Sequence, residues 1–84
     1  MVKLHVVGFP SYFGEIELLE LFSLYVIVDE LYFVTDRYTG LRLGYAFVGL
    51  RDQIAADRAI ANINGTVIGK NKLKVSLAMI KFPK

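Results

Sequence analysis

Tyr45 and Phe47 are the residues of this chain best placed to do chemistry, and the chemistry is stacking. They stand two apart in Leu43-Gly44-Tyr45-Ala46-Phe47-Val48-Gly49-Leu50, a run that alternates as a strand does. Gly44, Ala46, Val48 and Leu50 point to one side, and Leu43, Tyr45, Phe47 and Gly49 to the other. Two rings therefore share one face, roughly 7 Å apart, where they can hold flat partners by their π-faces. Taken alone, such a strand reads more simply as buried on both sides. Bond-making chemistry has little to work with. The chain has no cysteine and one histidine, His5, which excludes a disulfide framework, a thiolate site and a zinc cluster. No metal and no cofactor is expected. No serine or carboxylate stands near His5 at a spacing that would build a nucleophile and its base, and no Gly-rich phosphate loop precedes a helix. The expectation is that the chain is not an enzyme.

The elements that must position those rings follow from length and pattern. Eighty-four residues, 55% of them hydrophobic and 21% charged, suffice for one modest core and not for two. A single domain over residues 1–84 is expected, with its core at about 2–78 and a short tail at 79–84. Residues 2–7 form a first strand, with Val2, Leu4 and Val6 on one side and Lys3, His5 and Val7 on the other. After Gly8 and Pro10, Gly14 caps a helix over residues 15–25, whose stripe is Leu18, Leu21, Phe22 and Tyr25. Residues 28–34 form a second strand with Leu31 and Phe33 inward and Glu30, Tyr32 and Val34 outward. A turn at residues 36–40 leads into the octamer. Asp52 caps a second helix through Ile63, with Ala56, Ala59, Ile60 and Ile63 inward, and Asn64-Gly65 stops it. A short hairpin at residues 67–70 feeds a fourth strand over residues 72–77, with Lys72, Lys74 and Ser76 outward.

Strand, helix, strand, strand, helix, strand is the order of the ferredoxin-like plait, an α+β fold with a four-stranded antiparallel sheet and both helices on one face. Two helices cover one face only, so the other is open. It collects His5, Tyr32, Tyr45 and Phe47 with Lys3, Lys72 and Lys74. Aromatic rings bordered by lysines suit unstacked bases, because every base has a flat face and every nucleotide a phosphate. Tyr32 either extends this platform or pairs with Tyr45 across the sheet. The charge is polarised to match: residues 1–36 carry Lys3 against six carboxylates, whereas residues 37–84 carry nine Lys or Arg against Asp52 and Asp57. No apolar run is long enough to span a bilayer and no signal-peptide pattern opens the chain. An intracellular setting is expected, cytoplasmic or, in a eukaryote, nuclear.

With those residues in place, the chain resembles the RNA recognition motif, or ribonucleoprotein domain, over about residues 2–78. The octamer of residues 43–50 is similar to that family's octamer, and Leu4-His5-Val6-Val7-Gly8-Phe9 to its first-strand hexamer. Thr35-Asp36-Arg37, Thr39-Gly40, Leu21-Phe22-Ser23, Asn64-Gly65 and Leu73-Lys74-Val75 support the likeness. The resemblance implies that Phe47 stacks on one base, His5 on its neighbour, and that Tyr45 contacts the sugars between them. Leu43 stands where the family has Lys or Arg, a phosphate contact. Arg42 beside it reaches the open face only if the strand starts late or bulges. His5 stands where an aromatic is usual, a smaller ring that can still stack, and Leu50 replaces a final aromatic on the core side.

The expected partner is therefore single-stranded RNA, bound through His5, Tyr45, Phe47 and Tyr32 with charge from Lys3, Arg42, Lys72 and Lys74. Single-stranded DNA is admitted too, since stacking does not read the 2′-hydroxyl. The alternative is a protein-interaction domain that binds a peptide or self-associates through the helical face, where Ile16, Leu19 and Leu24 are apolar on flanks that would ordinarily be charged. The tail at residues 79–84, with Phe82 and two lysines, either lies across the sheet or lengthens the binding track.

Overall fold

The computed structural model describes residues 1–78. Its elements are β1 (Val2–Val7), α1 (Glu15–Ser23), β2 (Val28–Thr35), β3 (Arg42–Leu50), α2 (Gln53–Ile63), β4 (Val67–Ile68), β5 (Asn71–Lys72) and β6 (Lys74–Leu77). Strands β2, β3, β1 and β6 form one antiparallel sheet in that order, and β4 pairs with β5 in a separate hairpin. This is the ferredoxin-like plait, with both helices on one face. The question of what a tail at residues 79–84 does lies outside the described residues.

The core forms where the two periodicities meet. Leu4 and Val6 of β1, Ala46, Val48 and Leu50 of β3 and Val75 of β6 face Leu18 and Phe22 of α1 and Ala56, Ala59 and Ile63 of α2, all buried. The alanines let α2 lie close against the sheet, and each large side chain so buried contributes about 1.5–3 kcal/mol. Both helices start on a defined cap. The Asp52 carboxylate accepts from the Ala55 N–H at 2.9 Å, and the Glu17 carboxylate accepts from the Gly14 N–H at 2.8 Å. Helix α1 ends sooner than its apolar stripe suggests. The N–H groups of Leu24 and Tyr25 turn back to the carbonyls of Leu21 and Phe22 at 3.4 and 3.0 Å, a tighter last turn. That rotation puts Val26 into the core, 9% exposed, and leaves Tyr25 at 38%.

Two departures from simple alternation bear on the open face. Phe33 pairs with Ala46 but Thr35 pairs with Arg42, so β3 uses four residues where β2 uses two. Gly44, at φ +89°, makes the bulge. An extra pair of residues leaves the alternation unchanged, so Arg42 falls on the same side as Phe33. The other departure is in the expected fourth strand, which divides at Leu73. The Leu73 N–H donates to the Thr66 carbonyl at 2.7 Å and its carbonyl accepts from the Gly65 N–H at 2.8 Å, which holds Asn71 and Lys72 in the hairpin. Only Lys74–Leu77 joins the sheet, where the Val75 N–H also donates to the Asn64 side chain at 2.9 Å. Among the described residues no helix is long and apolar enough to cross a membrane.

Candidate functional site

Register decides which side chains meet on the open face. His5 lies opposite Phe47, Val7 opposite Tyr45, and Tyr32 opposite Phe47 from the other side. The outward residues of β1, β3 and β2 thereby form one strip of four rings. His5 lies 5.2 Å from Tyr45 and 5.5 Å from Phe47, Tyr45 lies 6.0 Å from Phe47, and Phe47 lies 5.7 Å from Tyr32, centroid to centroid. The planes cross at 41° to 88°, so the rings hold one another by edges and tilts and their faces are not consumed by mutual stacking. Tyr32 extends the strip through Phe47 and not through Tyr45.

The charged residues divide. Lys3 is on the face, its ammonium 3.3 Å from the Glu30 carboxylate and 3.4 Å from the Tyr32 hydroxyl. Glu30 first, and then Tyr32, hold its pKa above the ordinary lysine value. Lys74 is on the face at the opposite end, across from Val7 and exposed. Lys72 is not brought there: it pairs with Val67 in the hairpin, for the reason that Leu73 bonds to the segment after α2. Arg42 is not brought there either. Its guanidinium lies 4.0 Å from the Phe33 ring centroid and 5.3 Å from that of Phe9, and it donates to the Phe13 carbonyl. It closes the end of the core between the sheet and the segment that enters α1. Leu43 is exposed and adds no charge.

One pairing was not legible from the strands taken singly. Alternation places both Lys3 and Glu30 outward, but their contact depends on β3 running between β1 and β2 with Gly49 at that level. Beyond the strip, the turn after β2 is set by Asp36, whose carboxylate accepts from the N–H groups of Tyr38 at 2.8 Å and Thr39 at 3.0 Å. Those bonds hold the Asp36 pKa below the usual carboxylate value, Thr39 contributing most.

On the helical face Ile16, Leu19 and Leu24 are exposed by 68%, 42% and 72%. Leu24 and Leu19 fall in different hollows. Leu24 lines a groove of about 380 Å³ with Ile27, Ile54, Arg51 and Arg58 between the end of α1 and the start of α2, whereas Leu19 lies in a hollow beside Val28 and Leu31 of β2.

Compared with known proteins, the chain is 36% identical over 78 residues to RNA-binding protein 38 of Xenopus tropicalis, an alignment that takes in 93% of this chain and 35% of that one. It thus spans about a third of the length of the curated relatives it matches, 33% for human RNA-binding protein 24, to which it is 35% identical over 93% of its own length. Among solved structures it superposes on a Sxl-lethal protein/RNA complex with a TM-score of 0.86 at 31% identity, over 95% of this chain and 48% of that one. The RRM of Rna15 with bound RNA (GU) gives 0.77 at 30% identity, over 90% and 81%. The RNA recognition motif profile matches residues 4–74, from the first core residue of β1 to the start of β6, and takes in the whole four-ring strip. The chain belongs to the RNA recognition motif family.

Proposed function

We propose that the chain binds single-stranded RNA across the open face of its sheet. His5 and Phe47 each take one base, Tyr45 lies between the sugars and Tyr32 offers a third ring beyond Phe47. Lys3 and Lys74 supply positive charge at the two ends, and Arg42 and Lys72, which lie off the face, are left out of the site. The observation that carries this reading is the strip of four rings with unstacked faces on the side of the sheet that no helix among the described residues covers. Single-stranded DNA fits the same platform. The domain is a binding domain and not an enzyme.

The test is a titration of short unstructured RNA, followed by fluorescence anisotropy at rising salt. Each phosphate neutralised contributes about −0.7 to the slope of log K against log salt on a single strand. With few cations on the face among the described residues, a shallow slope of about −1 is expected, and Lys74→Ala is expected to flatten it by about 0.7. Absence of binding at low salt would remove the reading.

A second reading, self-association or peptide binding through the helical face, draws on the groove lined by Leu24, Ile27 and Ile54. Sedimentation at rising concentration checks its self-association arm; a mass that stays at one chain removes it.

A further inference from the structure

The open face ends, away from Lys74, in a feature that stacking leaves unused. Lys3 and Glu30 belong to strands that are not neighbours; β3 runs between them, and at their level it carries Gly49, the register partner of both. A Cβ at Gly49 would fall 2.6 Å from Glu30 Cγ and 2.7 Å from Met1 Sδ, so the Glu30 side chain crosses directly over the glycine. There the Lys3 ammonium meets the Glu30 carboxylate at 3.3 Å and the Tyr32 hydroxyl at 3.4 Å. An exposed pair of this kind adds little to stability. Its place is more informative. Gly49 is two residues along β3 from Phe47, roughly 7 Å, a distance at which the edge of a base lying on Phe47 comes over the pair.

We propose that Lys3 and Glu30 read the edge of the base stacked on Phe47 and select guanine. This rests on the RNA-binding reading above and adds a base preference to the same face. An ionised carboxylate has about four acceptor sites and an ammonium three donors, so the pair keeps capacity beyond its own contact. Guanine presents two N–H donors side by side, N1–H and the N2 amino group, next to the O6 acceptor. Glu30 accepts both donors and Lys3 donates to O6. Adenine and cytosine each present one amino donor beside a ring-nitrogen acceptor, and uracil a single N–H between two carbonyls. Each leaves part of the pair unmatched beneath a stacked base, which costs affinity.

The experiment uses heptauridylate probes that differ only at the central base, with guanine, adenine, cytosine, uracil or inosine there. Wild type is expected to favour guanine by about tenfold over the other standard bases. Inosine, which keeps N1–H and O6 and lacks the N2 amino group, is expected to fall between. Glu30→Ala, at a half-exposed site that leaves the core intact, is expected to bring all five probes to similar affinity, and Lys3→Ala to reduce the preference. Equal binding of all probes by wild type, or a guanine preference that survives Glu30→Ala, overturns the assignment and leaves RNA binding standing. Failure of wild type to bind any probe at low salt overturns both.

Discussion

Replacing Phe47 with alanine is expected to weaken binding of a short single-stranded RNA by ~1–3 kcal/mol, about 5- to 150-fold. Phe47 is the middle of the strip: it touches His5 on β1, Tyr45 on its own strand and Tyr32 on β2. Its removal therefore takes away one stacking surface and loosens the lateral support of its three neighbours. The fold is expected to persist, because the residues that fill the core from β3 are Ala46, Val48 and Leu50, on the opposite side. Anisotropy titration against wild type, with the far-ultraviolet circular dichroism of both proteins compared first, checks the expectation. Equal affinity in a folded variant would mean that RNA does not use this ring.

The second large effect is on stability and lies at Gly8, where β1 ends. Gly8 has φ +88°, and a Cβ there would stand 2.2 Å from the Lys72 carbonyl oxygen and 3.4 Å from Leu73 Cα. Both obstacles are backbone, so no side chain can swing away. Gly8→Ala combines left-handed strain of about 1–2 kcal/mol with a forced shift of packed chain of about 1–3 kcal/mol. A loss near 3 kcal/mol is a large share of what a domain this small holds, about 4–13 kcal/mol. With an m-value of about 1.5 kcal/mol/M the urea midpoint drops by about 2 M. Gly40→Ala separates the two causes: its φ is +75° but no atom lies within 4 Å of the added carbon, so strain alone acts. A Gly8→Ala midpoint no lower than that of Gly40→Ala would show that the close approach to Lys72 is easily relieved.

Period-two alternation was enough to sort the face from the core. It put Tyr45, Phe47, His5 and Tyr32 together outward because β1, β2 and the octamer keep their pleat through those residues. Helix count then showed which side the described residues leave uncovered. What alternation could not supply was the outcome of two local competitions. At Leu73 the chain bonds to the segment after α2, not to β1, and that diverts Lys72. At Gly44 the bulge spans an even number of residues, so Arg42 keeps the parity of Phe33 and finds a π-face and a carbonyl on the helical side. The Lys3 and Glu30 pair is hidden for a different reason, since two residues 27 positions apart in sequence meet only once the strand order is known. The early end of α1 likewise depends on a backbone turn that an apolar stripe running on to Tyr25 does not reveal.

Strand β3 carries the rings and the core on alternate residues of one backbone. Tyr45 and Phe47 face out, and Ala46 and Val48, the residues that directly follow them, are fully buried. No hinge or loop separates the two sets, and β3 is hydrogen-bonded on both edges, to β1 and to β2. Occupancy of the face and global unfolding then belong to one thermodynamic cycle. A ligand at 100 times its Kd adds about 2.7 kcal/mol to the folded state, delivered directly to an interior strand of the sheet. Amide hydrogens at Ala46 and Val48 are expected to exchange through global opening and, with ligand bound, to slow by about the same hundredfold factor. Their exchange rate is a gauge of what lies on the other side of the sheet.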